Sequence, residues 1–226
     1  MTTPLLRMQW ARDPAGYTVE TRLTDHGAPS GGLLFCGEEA SELNPDEEIW
    51  IVGRSGQKEH IDPQSIGGDR MFLEFANMKL KPETAVAFAN KYGLMLDRNE
   101  PGERFQTYLT LMESMDLVIK LWNMRKYLEI QKVFSGFGLG MTGVEFTLVP
   151  GSEKPRLVIK PNSLIELLYL QCAQTIADKE AHSCVVCGQI FVTNINMRAA
   201  PCTCSDTCQQ RLSHDNQVTR LPIRTA

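Results

Sequence analysis

Five of the seven cysteines, Cys184, Cys187, Cys202, Cys204 and Cys208, fall within 25 residues near the C-terminus, while Cys36 and Cys172 stand alone. Thiols clustered in this way point to metal binding in a reducing compartment rather than to disulfides, so the cytoplasm is the expected location. Cys184 and Cys187 form a two-thiol hook that can wrap one ion from a tight turn, and Gly188 relieves the backbone just after it. Sixteen residues later come Cys204 and Cys208, with Ser205 and Asp206 between them as good N-cap and first-turn residues. A helix continuing through Gln209, Gln210, Arg211 and Leu212 would set Cys204 at its start and Cys208 one turn inside. The two pairs then supply the four thiolates of a tetrahedral structural Zn2+ site.

Other readings of the same residues are open. Five free buried cysteines are the plainest, and an iron–sulfur cluster also accepts four thiolates. A catalytic zinc is disfavoured because four thiolates leave no open coordination position. Cys202 competes with Cys204 as third ligand, and Cys204 is preferred because Ser205 follows it as a cap. His182 and His214 are lesser candidates, more simply read as loop or helix histidines.

The elements that must position these residues can be read from pattern. Residues 1–69 hold 5 Lys/Arg against 12 Asp/Glu, whereas residues 70–226 hold 18 against 15. The first third, 1–69, is therefore expected to be a separate acidic, β-rich region, with strand patterns at Tyr17–Leu23 and Ile49–Val52. Residues 70–180 read as a mainly helical domain. Pro82 opens a helix that Gly93 stops. A long helix can be drawn from Glu103 to about Phe134, roughly 48 Å if continuous, with room for a break. Val144–Val149 and Arg156–Lys160 read as a hairpin. Ser163 and Glu166 form a capping-box pair for a helix reaching about Glu180. Residues 181–226 form the metal module. The expected class is α+β: a short-stranded acidic N-terminal part, a helical centre with a β-hairpin, and a C-terminal treble-clef-like zinc finger.

Cys184-x2-Cys187-Gly188 followed by Cys204-Ser-Asp-Thr-Cys208-Gln-Gln-Arg resembles the C-terminal finger of bacterial CGNR-type proteins and related short fingers ending in a Cys-Ser…Cys helix. Upstream, Met71-Phe-Leu-Glu-Phe-Ala-Asn77 and the helix at 82–92 are loosely similar to the start of their companion domain, called ABATE. The resemblance implies a stress-related transcriptional regulator whose finger binds DNA. Two departures stand out: the last cysteine pair is spaced by three residues, and Gln209-Gln210-Arg211 replaces the family's Gly-Asn-Arg.

Charge bears on that implication. The chain of 226 residues carries a net charge of −4, which excludes a uniformly basic nucleic-acid coat. Within 181–226 the cations are Arg198, Arg211, Arg220 and Arg224, against Asp206 and Asp215. Four thiolates around Zn2+ add two negative charges, so the module is near neutral. Residues 118–160 are more basic, with Lys120, Arg125, Lys126 and Lys132 beside Trp122 and Tyr127. Such a helix could grip a phosphate backbone, or it could be a core stripe with a solvated charged face.

Other features carry less. Gly136–Gly140 lacks the Gly-Lys-Ser/Thr ending of a phosphate loop and reads as a helix terminator. His60 and Asp62 lie beside a turn with no nucleophile motif, and Cys36 and Cys172 read as small buried residues. No stretch is apolar for 18 residues, so no membrane span is expected, and Met1–Asp13 holds no apolar run of signal-peptide length. Two function classes lead: a DNA-binding transcriptional regulator, and a zinc-stapled adaptor that binds another protein without DNA. An enzyme is a third class with no motif behind it.

Overall fold

The computed structural model describes residues 5–6, 8, 10–23, 47–79, 81–96, 102–136, 144–148, 155–159, 161–194 and 203–218. In chain order the N-terminal elements are β1 (Leu5–Leu6), β2 (Trp10–Arg12), β3 (Tyr17–Leu23), β4 (Glu47–Gly53) and β5 (Glu59–Ile61). There follow α1 (Pro63–Gly67), a 3-10 turn at Gly68–Arg70, α2 (Met71–Ala76), α3 (Pro82–Tyr92) and β6 (Gly102–Arg104). The rest comprises α4 (Phe105–Asn123), α5 (Tyr127–Gly136), β7 (Val144–Leu148), β8 (Pro155–Ile159), α6 (Leu164–Asp178), β9 (Lys179–Ser183), β10 (Ile190–Asn194) and α7 (Asp206–Val218). The fold is a mixture of helix and sheet, as the α+β expectation requires. Among the described residues, no helix is long and apolar enough to cross a membrane.

The chain folds as two compact units, each assembled from three stretches. The first draws on residues 1–66, 79–111 and 142–165. Its sheets are β3-β4-β6, antiparallel throughout, the antiparallel pair β2-β5, and β1-β8-β7. In the last of these, β7 and β8 form the expected hairpin, while β1 joins β8 in parallel. Helix α3 lies against β3 and β4. Trp10, Tyr17, Ile51, Ala85, Phe88, Tyr92, Met95 and Tyr108 are buried, and removal of such apolar area from water is the main stabilising term.

Several polar groups buried with them are paired, as burial favours. The Trp10 indole N–H donates to the Leu94 carbonyl at 2.8 Å. Asp13 accepts from the amides of Ala15, Ser55 and Gly56 and from the Ser55 hydroxyl. Burial alone would raise its carboxyl pKa, but these donors outweigh that and hold it below the ordinary value of 3.8. Glu103 accepts the amides of Met95 and Leu96 at 2.8 and 3.0 Å. Gly93, with φ of 91° and ψ of −175°, ends α3 where an L side chain is rarely tolerated. A Cβ there would stand 2.7 Å from both the Ala11 carbonyl oxygen and Trp10 Cδ1.

The second unit draws on residues 67–78, 112–141 and 166–226. Its buried side chains include Met71, Phe72, Phe75, Met115, Val118, Ile119, Trp122, Leu167, Leu168, Tyr169 and Cys172. Gln171 ties α6 to the start of α2, accepting the Phe72 amide at 3.3 Å and donating to the Gly68 carbonyl at 2.7 Å. The Cys172 thiol belongs to this core, and burial pushes its pKa up to about 12.

The long helix drawn from Glu103 is broken in two. Arg125 takes φ of 57°, its amide bonds to the Trp122 carbonyl, and the Lys126 amide reaches back to Leu121. This is a Schellman ending with arginine at the left-handed position usually given to glycine. Arg125 also pairs with Glu180 at 2.9 Å. Trp122 is buried and Lys120 is paired with Asp116, so this segment is a core stripe with a charged outer face and Trp122 offers no ring to a nucleic acid.

Candidate metal centre

The metal module begins earlier than a helix ending near Glu180 would allow. Helix α6 stops at Asp178, and Lys179–Ser183 pair with Ile190–Asn194 as an antiparallel ladder. The first cysteine pair thus occupies the tip of a hairpin. Cys184 donates its amide to the Gln189 carbonyl at 2.9 Å, and the Gly188 amide returns to the Cys184 carbonyl at 2.8 Å. Gly188 has φ of 74°, a conformation glycine adopts without strain.

Besides the Arg125–Glu180 pair, the hairpin is held from outside by a carboxamide. Asn77, at the end of α2, donates from Nδ2 to the Ile190 carbonyl at 2.9 Å and accepts the Ile190 amide on Oδ1 at 2.7 Å. The carboxamide therefore completes β10 as a short added strand would.

The second pair sits at the start of α7. Ser205 Oγ accepts the Cys208 amide at 3.3 Å, and the Gln209 amide bonds to the Ser205 carbonyl at 3.0 Å. This is the expected N-cap. Thr203 adds a bond from its hydroxyl to Gln209 Oε1 at 2.9 Å. Cys208 consequently faces back toward the hairpin tip from one turn inside the helix.

The sulfur atoms of Cys184, Cys187, Cys204 and Cys208 all lie within 4.8 Å of one another. Cys187 Sγ is 3.5 Å from Cys204 Sγ, which is 3.7 Å from Cys208 Sγ. Zinc–thiolate bonds of about 2.3 Å in a tetrahedron place sulfurs roughly 3.8 Å apart, so the spacing suits one ion. Burial is uneven: Cys184 and Cys208 are buried, Cys204 is half-buried and Cys187 is exposed.

Electrostatics favour the same use. Burial works against a Cys184 thiolate, but the backbone amides of Cys187, Val186 and Cys204 outweigh it and bring the thiol down to about 6. The Cys204 thiol is pushed up to about 12, chiefly by the adjoining Cys187 sulfur, then by burial and by Cys208 and Cys184. Four sulfurs this close cannot all ionise unless a cation joins them. A divalent soft-ligand metal is what the set can hold, and a four-thiolate set is typical of zinc.

No protein-family model matches the chain. A search of curated proteins gives no match either.

Other sequence-derived candidates fall in different places. His182 is on β9, its Nε2 2.9 Å from the Thr193 hydroxyl, and His214 is exposed on α7; neither joins the four-sulfur group. Arg211 is exposed on α7. Gly136 closes α5, in keeping with a helix terminator. Arg198, Arg220, Arg224, Cys202, Cys36 and residues 137–140 of the glycine-rich stretch lie outside the described residues.

Two residues near the centre escaped the sequence reading. Asn77 is one. The other is Gln189, whose Oε1 lies 3.8 Å from Cys187 Sγ and 3.9 Å from Cys204 Sγ. Its position one residue past Gly188 was a usable signal, because the amide after a knuckle is placed beside the sulfurs. Asn77 carried no such signal, since its partner is 113 residues away.

Proposed function

We propose that this protein is a zinc-stapled regulator of bacterial type that contacts DNA through its C-terminal module in the cytoplasm. Zn2+ would be held by Cys184, Cys187, Cys204 and Cys208 as a treble-clef-like finger, in line with the resemblance to CGNR-type fingers.

The observation that carries the reading is the presentation of α7. Between Asp206 and His214, only Cys208 is buried and Leu212 half-buried, while Gln209, Gln210, Arg211, Ser213 and His214 are exposed. A helix so polar has little packing of its own, and a ligand in its first turn fixes its direction. Glutamine and arginine are side-chain types that make paired hydrogen bonds to base edges and phosphates. Arg211, three residues after Cys208, is carried on that fixed helix, and Arg198, Arg220 and Arg224 are the further cations of the module.

Bulk duplex DNA binding at two salt concentrations tests this. Affinity should fall steeply with salt, and each lost arginine–phosphate contact should reduce the slope by about one unit. Arg198→Ala with Arg211→Ala should weaken binding equally on all sequences at unchanged zinc content. A parent protein that does not bind near physiological salt overturns the reading.

An adaptor that binds another protein is the second reading. It is favoured by exposed apolar residues of α4, α5 and the turn between them: Leu117, Met124, Tyr127 and Leu128 are 46%, 59%, 53% and 73% exposed. Large apolar side chains left in water at this level are available for contact with a protein partner.

A further inference from the structure

We infer that the Cys187–Cys204 edge of the metal centre is an oxidative modification site, at which a hydroperoxide converts the two thiolates to a disulfide and frees the metal. The inference rests on the zinc reading and adds a chemistry to it.

The first support is access. Of the four sulfurs, the two on this edge are the exposed Cys187 and the half-buried Cys204, whereas Cys184 and Cys208 are buried. The second is distance. The 3.5 Å between Cys187 Sγ and Cys204 Sγ is shorter than the 3.7 Å between Cys204 and Cys208. A closure of about 1.5 Å gives the S–S bond of roughly 2.05 Å. The third is the polar character of the edge, where the Gln189 amide and the Ser205 hydroxyl both lie within 4 Å of a sulfur. Susceptibility to oxidation follows thiolate character and access together, and here the metal keeps sulfur as thiolate while the fold exposes it.

The step balances with the peroxide as the sole oxidant. The Cys187 thiolate attacks the O–O bond, which breaks to give a sulfenic acid and hydroxide. The Cys204 thiolate then attacks the Cys187 sulfur, forming S–S and expelling a second hydroxide. Two protons from solvent convert both hydroxides to water. The pair of thiolates has lost two electrons and the hydroperoxide has gained them. Cys184 and Cys208 remain as two ligands, too few to retain the ion, and take up protons as it leaves. Helix α7 then loses the bond that fixes Cys208, one of its two inward residues in the first turns. The exposed polar face it carries is no longer held in one direction.

The test uses the full chain purified with its metal, hydrogen peroxide, and a chromogenic zinc indicator. Peroxide should speed metal release by at least about tenfold over the untreated rate, and peptide mapping should find one new disulfide, Cys187–Cys204. A thiol reductant with added Zn2+ should restore the loaded form. Cys187→His keeps a competent Cys3His set while removing the exposed thiol, so its release should be at least about tenfold slower under peroxide than the parent's. Cys184→His, changed on the buried side, should stay sensitive. Loaded protein that keeps its metal under peroxide overturns the inference and leaves zinc binding standing. So does a bridge that maps to Cys202, Cys184 or Cys208. A chain that neither carries zinc nor takes it up overturns both. Should Cys187→His fail to load, the mapped disulfide of the parent decides alone.

Discussion

Asn77 is the most direct place to ask whether the metal hairpin depends on the helical part of its unit. Its carboxamide makes two bonds to one residue, Ile190, at 2.9 and 2.7 Å. Each such bond contributes roughly 0.5–1.5 kcal/mol net, so Asn77→Ala should cost about 1–3 kcal/mol. Both residues are half-buried, and water can partly replace the lost partners, which favours the lower half of that range. If all of that free energy is linked to the site, zinc affinity falls by about 5–150-fold at 1.4 kcal/mol per decade. Asn77→Asp sharpens the test. The introduced carboxylate still accepts the Ile190 amide, but its second oxygen confronts the Ile190 carbonyl where an N–H stood. That contact raises the carboxyl pKa in the folded state, so the penalty is full above this pKa and shrinks as pH falls through it. Urea unfolding across pH, with chelator competition for zinc at neutral pH, measures both quantities. An Asn77→Asp protein within about 0.5 kcal/mol of the parent at pH 7 would refute the reasoning, because surface changes ordinarily fall in that range.

Gly93→Ala meets the Ala11 carbonyl and Trp10 at 2.7 Å in a backbone region reserved for glycine, and should cost roughly 2–5 kcal/mol in denaturant unfolding. Asp13, with its carboxyl held below 3.8, contributes stability that is present above the unfolded-state pKa and lost as pH falls through the folded one. The stability difference between the parent and Asp13→Asn should therefore be constant from about pH 5 to 8 and shrink below about pH 4; a difference unchanged at lower pH counts against the four-bond cradle. Cys204→Ser should abolish stoichiometric zinc by metal analysis while Cys202→Ser leaves it intact, and the reverse result would assign the third ligand to Cys202.

Local chemistry was legible in the sequence. Ser205 caps α7, Gly188 takes the left-handed turn, Pro82 opens α3, and the paired cysteines meet in space, because each depends on neighbours within a few residues. What the sequence hid depends on distant partners. The α4–α5 break uses Arg125, a residue with no intrinsic taste for positive φ, held there by a backbone pattern and by Glu180. Lys179–Ser183 continues the polarity of α6 and becomes a strand only because Ile190–Asn194 lies beside it. Tertiary context overrides propensity at both places. Trp122 shows pattern succeeding: its helical spacing with Ile119 allowed a core stripe despite the nearby cations, and the helix does turn it inward.

The parallel pairing of β1 with β8 sets a clock on the birth of the molecule. Leu5 stands opposite Val158 in the ladder, so β1 leaves the ribosome and must wait for a partner made some 150 residues later. At 5–20 residues per second, that delay is roughly 8–30 s. Until then Leu5 and Leu6 have no ladder to join, and the first unit cannot close until residues 155–159 have emerged. The cysteine hook is translated later still, so the four thiols able to hold an ion are among the last groups of the second unit to meet. On the proposed zinc reading, cells short of zinc would accumulate chains finished in sequence but not in structure, with α7 unfixed and its thiols reduced.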